Sequence, residues 1–113
     1  MDEIEAAQGL SALGNKTRLS VFRLLVRAGR DGTPVGHIGR NLGIPLSTLA
    51  HHLDRLSRAG LVDQQKSGRE VICTANYKAL LALTNYLTEK CCEGLPDDSF
   101  ASTIVQSPEL AES

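Results

Sequence analysis

A chain of 113 residues makes one domain and leaves little for a second. With no Trp, two Phe and two Tyr, its core has to be built from Leu, Val, Ile and Ala, and no apolar run nears the ~20 residues of a membrane span. The net charge of −1 conceals a split: residues 15–70 carry ten Lys/Arg against four acids, or +6, while the rest carry two against nine, or −7.

A basic middle between acidic ends suits a polyanion met by the middle alone. The plainer reading is a solvated mixed surface. The opening Met1-Asp2-Glu3-Ile4-Glu5 is acidic, unlike a secretory signal. Three Cys, two of them adjacent, do not make a disulfide framework. A cytoplasmic protein with reduced thiols is expected.

Ile4, Ala7, Leu10 and Leu13 follow helical spacing and predict a first helix ending near Gly14. Asn15 is a good N-cap for a second helix running to about Ala28. Its apolar residues nearly encircle it, which predicts a central position. Thr33-Pro34 reads as N-cap and first position of a third helix, with Val35, Ile38 and Leu42 on one face and Gly43 as the stop. A fourth helix is predicted over 46–59, with Leu49, Leu53 and Leu56 inward and Gly60 beyond its end. The period then changes from 3.6 to 2. Residues 61–66 and 69–74, joined by Ser67-Gly68, read as a hairpin. A fifth helix is predicted over 77–92. Residues 1–94 thus form the domain, and 95–113 are expected to be a flexible polar tail.

Two short helices across a tight turn, followed by a hairpin, predict a fold that is mainly α with a β-hairpin wing: a winged helix-turn-helix. The fourth helix would enter a major groove about 12 Å wide. Ser47, Thr48, His51, Arg55 and Arg58 point away from its leucines, and Ser47, Thr48 and His51 near its start suit base edges and phosphates. The hairpin tip offers Lys66 and Arg69, and the third helix offers Arg40. With Lys16, Arg18, Arg55 and Arg58 these are phosphate candidates, so binding should weaken steeply with salt.

Several motifs resemble the ArsR/SmtB family of repressors. Ala12-Leu13-Gly14-Asn15-Lys16-Thr17-Arg18-Leu19 resembles that family's opening segment. Ile44-Pro45-Leu46-Ser47-Thr48-Leu49-Ala50-His51-His52-Leu53-Asp54-Arg55-Leu56 resembles its recognition helix, and Ala59-Gly60-Leu61-Val62 with Gly68-Arg69 resembles its wing. The match spans roughly residues 5 to 93. It implies a homodimeric transcriptional repressor on double-stranded operator DNA, released by a metal, metalloid or redox signal. Ala50 departs from a frequent family Ser. His52 matches a common family His, for which packing beside Leu53 is expected rather than metal ligation.

The family's Cys-x-Cys site is missing from Val35-Gly36-His37-Ile38-Gly39, and its His-containing zinc site is missing from the fifth helix, which offers Thr84, Asn85 and Glu89. The remaining ligand candidates are Cys73, Cys91 and Cys92. Tyr86-Leu87-Thr88-Glu89-Lys90-Cys91-Cys92 resembles the helix end of arsenic-responsive repressors with a vicinal pair. Cys73, 18 residues earlier, resembles the arrangement of the branch selective for trivalent methylated arsenic. Soft thiolates select soft acceptors. Arsenite can take three sulfurs, methylarsenite only two, and antimonite follows arsenite. Tyr77 to Cys91 is about 21 Å of helix, and Cys73 to Tyr77 spans at most ~14 Å. Within one subunit a gap of about 7 Å would therefore remain, so a mixed site with Cys73 of one subunit and Cys91 or Cys92 of the other is an expectation. Otherwise Cys73 is a small core residue.

No resident cofactor and no membrane partner are expected. A same-fold alternative is a thiol-based redox or reactive-sulfur sensor. A protein-binding adaptor is a further alternative. A thiol enzyme lacks support, since there is no Cys-x-x-Cys, no neighbouring His and no Gly-rich phosphate loop.

Overall fold

The computed structural model describes residues 1–96. From residue 97 onward, the tail expected over 95–113 lies outside the described residues. Helix α1 (Glu3–Leu13) begins with a capping box: Asp2 accepts from the Glu5 N–H at 2.7 Å, and the Glu5 carboxylate accepts from the Asp2 N–H. Its buried face is Ala6, Gly9 and Ala12, so α1 lies close against its neighbours. The Ile4 and Leu10 stripe that marks the helix in the sequence is left exposed.

Helix α2 (Lys16–Ala28) starts at Asn15, whose side chain accepts from the Arg18 N–H at 3.0 Å. Val21, Phe22 and Leu25 are buried, but Leu19 and Val26 reach solvent. The helix is central on one face, not all round.

Thr33–Pro34 is a correction. These residues form a two-residue strand, β1, and helix α3 (Val35–Leu42) begins after it. Thr33 pairs with Cys73 and Pro34 with Ile72. Proline suits this edge position, because no ladder N–H is required of it. Gly32 (φ +71) makes the approach possible. A Cβ there would collide with the Cys73 carbonyl oxygen and lie 2.6 Å from the Thr74 methyl.

Gly43, left-handed at φ +66, ends α3, and helix α4 (Leu46–Arg58) follows within three residues. Strands β2 (Val62–Ser67) and β3 (Glu70–Ala75) form the wing. Ser67 pairs with Glu70, so the two-residue turn is Gly68-Arg69, one position later than expected. The sheet is antiparallel in the order β1-β3-β2, which adds a strand to the hairpin read from the sequence. Its base packs on the helices. Val21, Phe22 and Leu25 meet Ile38, Leu49, Leu53, Leu56, Leu61, Val62 and Cys73 in one core.

Helix α5 (Tyr77–Thr88) starts at Asn76, whose side chain accepts from the Ala79 N–H. It ends four residues before the expected 92. The Thr84 and Thr88 hydroxyls donate back to carbonyls of the preceding turn, a bond that competes with helix propagation. Glu89 is extended, and Lys90 and Cys92 are left-handed at φ 61 and 60. Leu83 packs near Gly9 of α1, while Leu81 and Leu87 are exposed. With Ile4 and Leu10 they give this end of the fold an uncovered apolar surface. Among the described residues no helix is long and apolar enough to cross a membrane.

Candidate nucleic-acid interface and thiol pair

Leu49, Leu53 and Leu56 are all at most 1% exposed and fix the rotation of α4 about its axis. With that face pinned, Ser47, Thr48, His51, Arg55 and Arg58 are turned to solvent, as their spacing predicts. Pro45 caps the helix without a side-chain bond. The first N–H groups of α4 therefore have neither an intrahelical nor a side-chain acceptor, which suits an anion. Arg40 flanks the same end, lining a concavity with Gly43, Ile44 and Pro45.

Arg58 is not free. Its Nε lies 3.0 Å from Asp54 Oδ2, one turn back on the same exposed face. Lys66 and Arg69 sit on the wing, beside and within its Gly68-Arg69 turn, and both are exposed.

One arrangement has no signal in the spacing. Arg18 Nε donates to the Ala12 carbonyl at 2.6 Å, and the same guanidinium lies 3.5 Å from His52 Nδ1. Arg18 thereby joins the end of α1 to α4 across 34 residues of sequence. Partial burial, then the positive charges of Arg18, His51 and Arg55, hold the His52 pKa below the ordinary value. His52 is therefore neutral at pH 7 and can accept from Arg18. Arg18, Thr48, His51, His52, Arg55 and Arg58 line one open concavity of about 550 Å³. The positive charges that add to the effect of burial on His52 are the ones a phosphate would meet.

The cysteines occupy two unlike environments. Cys73 is fully buried on β3, between Gln64 of β2 and Thr33 of β1, and burial pushes its thiol up to about 11. Cys91 and Cys92 are exposed in the turn after α5, where the Cys91 N–H donates to the Thr88 carbonyl at 3.0 Å. Their Sγ atoms are 3.4 Å apart. The hydrogen bond to Cys91, followed by its charge, raises the Cys92 pKa. Within one chain Cys73 is not brought to the pair. Among the described residues no group of three His, Cys, Asp or Glu could hold a metal ion.

A helix held by three leucines, open at its N-terminus and flanked by a cationic two-residue wing turn, defines a winged helix-turn-helix DNA-binding protein. A helix-turn-helix domain family model matches residues 13–65. A Halobacterium salinarum protein that bears the name "Putative arsenical resistance operon repressor ArsR" is 34% identical over 97 residues, covering 75% of this chain and 74% of that one. The solved ArsR-like transcriptional regulator of Rhodococcus sp. RHA1 superposes with a TM-score of 0.69 at 28% identity, over 80% of this chain and 82% of that one. The homodimeric winged helix-turn-helix DNA-binding domain from Mycobacterium bovis gives 0.62 at 25% identity, over 76% and 80%. The chain belongs to the ArsR family of DNA-binding transcriptional regulators.

Proposed function

We propose that the protein is a homodimeric repressor that leaves its operator when a trivalent arsenical bridges Cys91 and Cys92. The observation that carries this reading is the spacing of the pair. Two bonds of about 2.3 Å from one atom to sulfur, meeting near a right angle, span about 3.3 Å, and the two Sγ atoms are 3.4 Å apart and open to solvent. A direct disulfide between adjacent residues departs from the geometry a relaxed disulfide adopts and would be strained. This favours a bridging atom over the redox alternative.

The chemistry is a condensation. Methylarsenite, CH3As(OH)2, exchanges both hydroxyls for the two sulfurs, and the thiol protons leave in two waters. No electron is transferred. The As–C bond persists, so two thiols saturate the arsenic. Arsenite or antimonite would keep one hydroxyl on the same pair. In this reading Cys73 stays in the core, its burial and raised pKa arguing against a thiolate, and the two-thiol set favours the methylated form.

The uncovered leucines of α5 and the Ile4 and Leu10 stripe of α1 support dimerisation through these two helices. Ser47, Thr48, His51 and Arg55, with Arg40, Lys66 and Arg69, would face the duplex, two recognition helices entering grooves ~34 Å apart. Bridging locks the left-handed turn that follows α5. From there α5 packs on α1, and Arg18 links the end of α1 to α4. A coupling of ~1–3 kcal/mol would weaken operator binding five- to 150-fold.

Fluorescence anisotropy on the DNA upstream of the gene, titrated separately with arsenite and methylarsenite, tests this. Cys91→Ser and Cys92→Ser should each keep operator affinity and lose release. Release that persists in both variants would reject the thiol pair as the sensor.

A further inference from the structure

Leu46 opens the recognition helix with 60% of its surface exposed, although α4 buries three other leucines almost completely. Ala50, one turn on and also exposed, lies on the same side. Together with Leu53 and Val71 they line an open trough of about 470 Å³ between α4 and the wing, with Arg69 and Glu70 at its wing end. A single exposed leucine needs no explanation. An apolar wall at the N-terminal end of a recognition helix does, because that end meets base edges.

The trough lies between the polar tip of α4 (Ser47, His51) and the cations Lys66 and Arg69, so a duplex engaging both would cover it. In a major groove the one apolar group on a base edge is the 5-methyl of thymine. We propose that Leu46 and Ala50 read thymine methyls, and that the operator half-site carries thymine where this wall meets it. Polar neighbours at 47, 48 and 51 would then contribute hydrogen bonds on either side of an apolar contact. Specificity at that position follows from burying a methyl against Leu46, with no hydrogen bond involved. The inference rests on α4 being the recognition helix.

The probe is a duplex selected by the full-length protein from a randomised DNA library. It is then resynthesised with deoxyuridine replacing thymidine at one position at a time, which removes only the methyl. One buried methyl at ~0.8 kcal/mol corresponds to about four-fold in affinity. The expected result is a loss of about four-fold at one or two positions per half-site, shrinking towards unity in Leu46→Ala. Circular dichroism melting reports that this exposed-site variant is folded. Uniform tolerance of deoxyuridine with tight binding retained would overturn the thymine reading while leaving DNA binding intact. A deoxyuridine penalty unchanged in Leu46→Ala and in Ala50→Gly would also overturn it. Failure to enrich any duplex would overturn the assignment of α4 as well.

Discussion

The Asp54–Arg58 pair makes a quantitative claim about the interface. Both groups sit on the exposed face of α4, 3.0 Å apart, so the carboxylate competes with phosphate for the guanidinium. As an exposed i,i+4 pair it contributes only about 0.3–0.5 kcal/mol to folding. Asp54→Asn should therefore leave the melting temperature nearly unchanged. For DNA the effect is larger. Each phosphate neutralised contributes about −0.9 to the slope of log K against log salt, so two freed Arg58 side chains in the proposed dimer would steepen it by about 1.8. Extrapolated from 1 M salt to 0.15 M, that slope corresponds to at most about 30-fold tighter binding. Anisotropy titrations across a salt series give the slope directly, and the double variant Asp54→Asn, Arg58→Ala isolates the freed guanidinium. A gain that survives in the double variant would show that Asp54 acts only through its own charge. An unchanged slope in Asp54→Asn would show that Arg58 faces no phosphate even when freed, and its place among the phosphate candidates would be lost.

Other outcomes follow from the same geometry. Cys73→Ser places a hydroxyl at the centre of the sheet at a cost of about 1–3 kcal/mol if it is left unsatisfied; calorimetry should show a lowered melting temperature, and methylarsenite should still release DNA. Leu81, 62% exposed on one chain, would be covered in a dimer through α1 and α5; Leu81→Glu should give a folded monomer by light scattering, and a persistent dimer would move the interface elsewhere. His52 has a folded pKa below its ordinary 6.5, so the unfolded chain takes the proton first. Its contribution to stability is complete above about pH 6.5 and is lost as pH falls from there towards the folded value. Against His52→Gln, the wild-type unfolding curve should lose ground between pH 7.5 and 5.5, and parallel curves would contradict the burial and charge assigned to this imidazole.

Elements with their own local chemistry were legible in the sequence. Asn15 marks the start of α2, the Leu49-Leu53-Leu56 spacing sets the face of α4, and Gly43 ends α3, each through interactions within a few residues. β1 was not legible, because two residues have no period and Thr33–Pro34 is a strand only by virtue of Cys73 and Ile72, about forty residues on. The end of α5 was misjudged because the apolar stripe continues to Cys91 while Thr84 and Thr88 turn their hydroxyls back on the helix. The cationic face of α4 could be read from its helical spacing. The Ala12–Arg18–His52 link could not, since it joins three elements that only the folded core brings together. The sequence leaves Cys73 open as a ligand or a small core residue, and its burial is decided by Thr33 of β1 and Gln64 of β2, which flank it across the sheet.

The most direct measurement uses Cys73→Ala protein, in which the vicinal pair holds the only remaining thiols. Methylarsenite is titrated into its complex with a fluorescent selected duplex, with anisotropy and intact mass followed together. The account predicts one arsenical per chain, bound with loss of two waters, and release of DNA in step with that mass. Stoichiometric arsenical on Cys91 and Cys92 with anisotropy unchanged would contradict it.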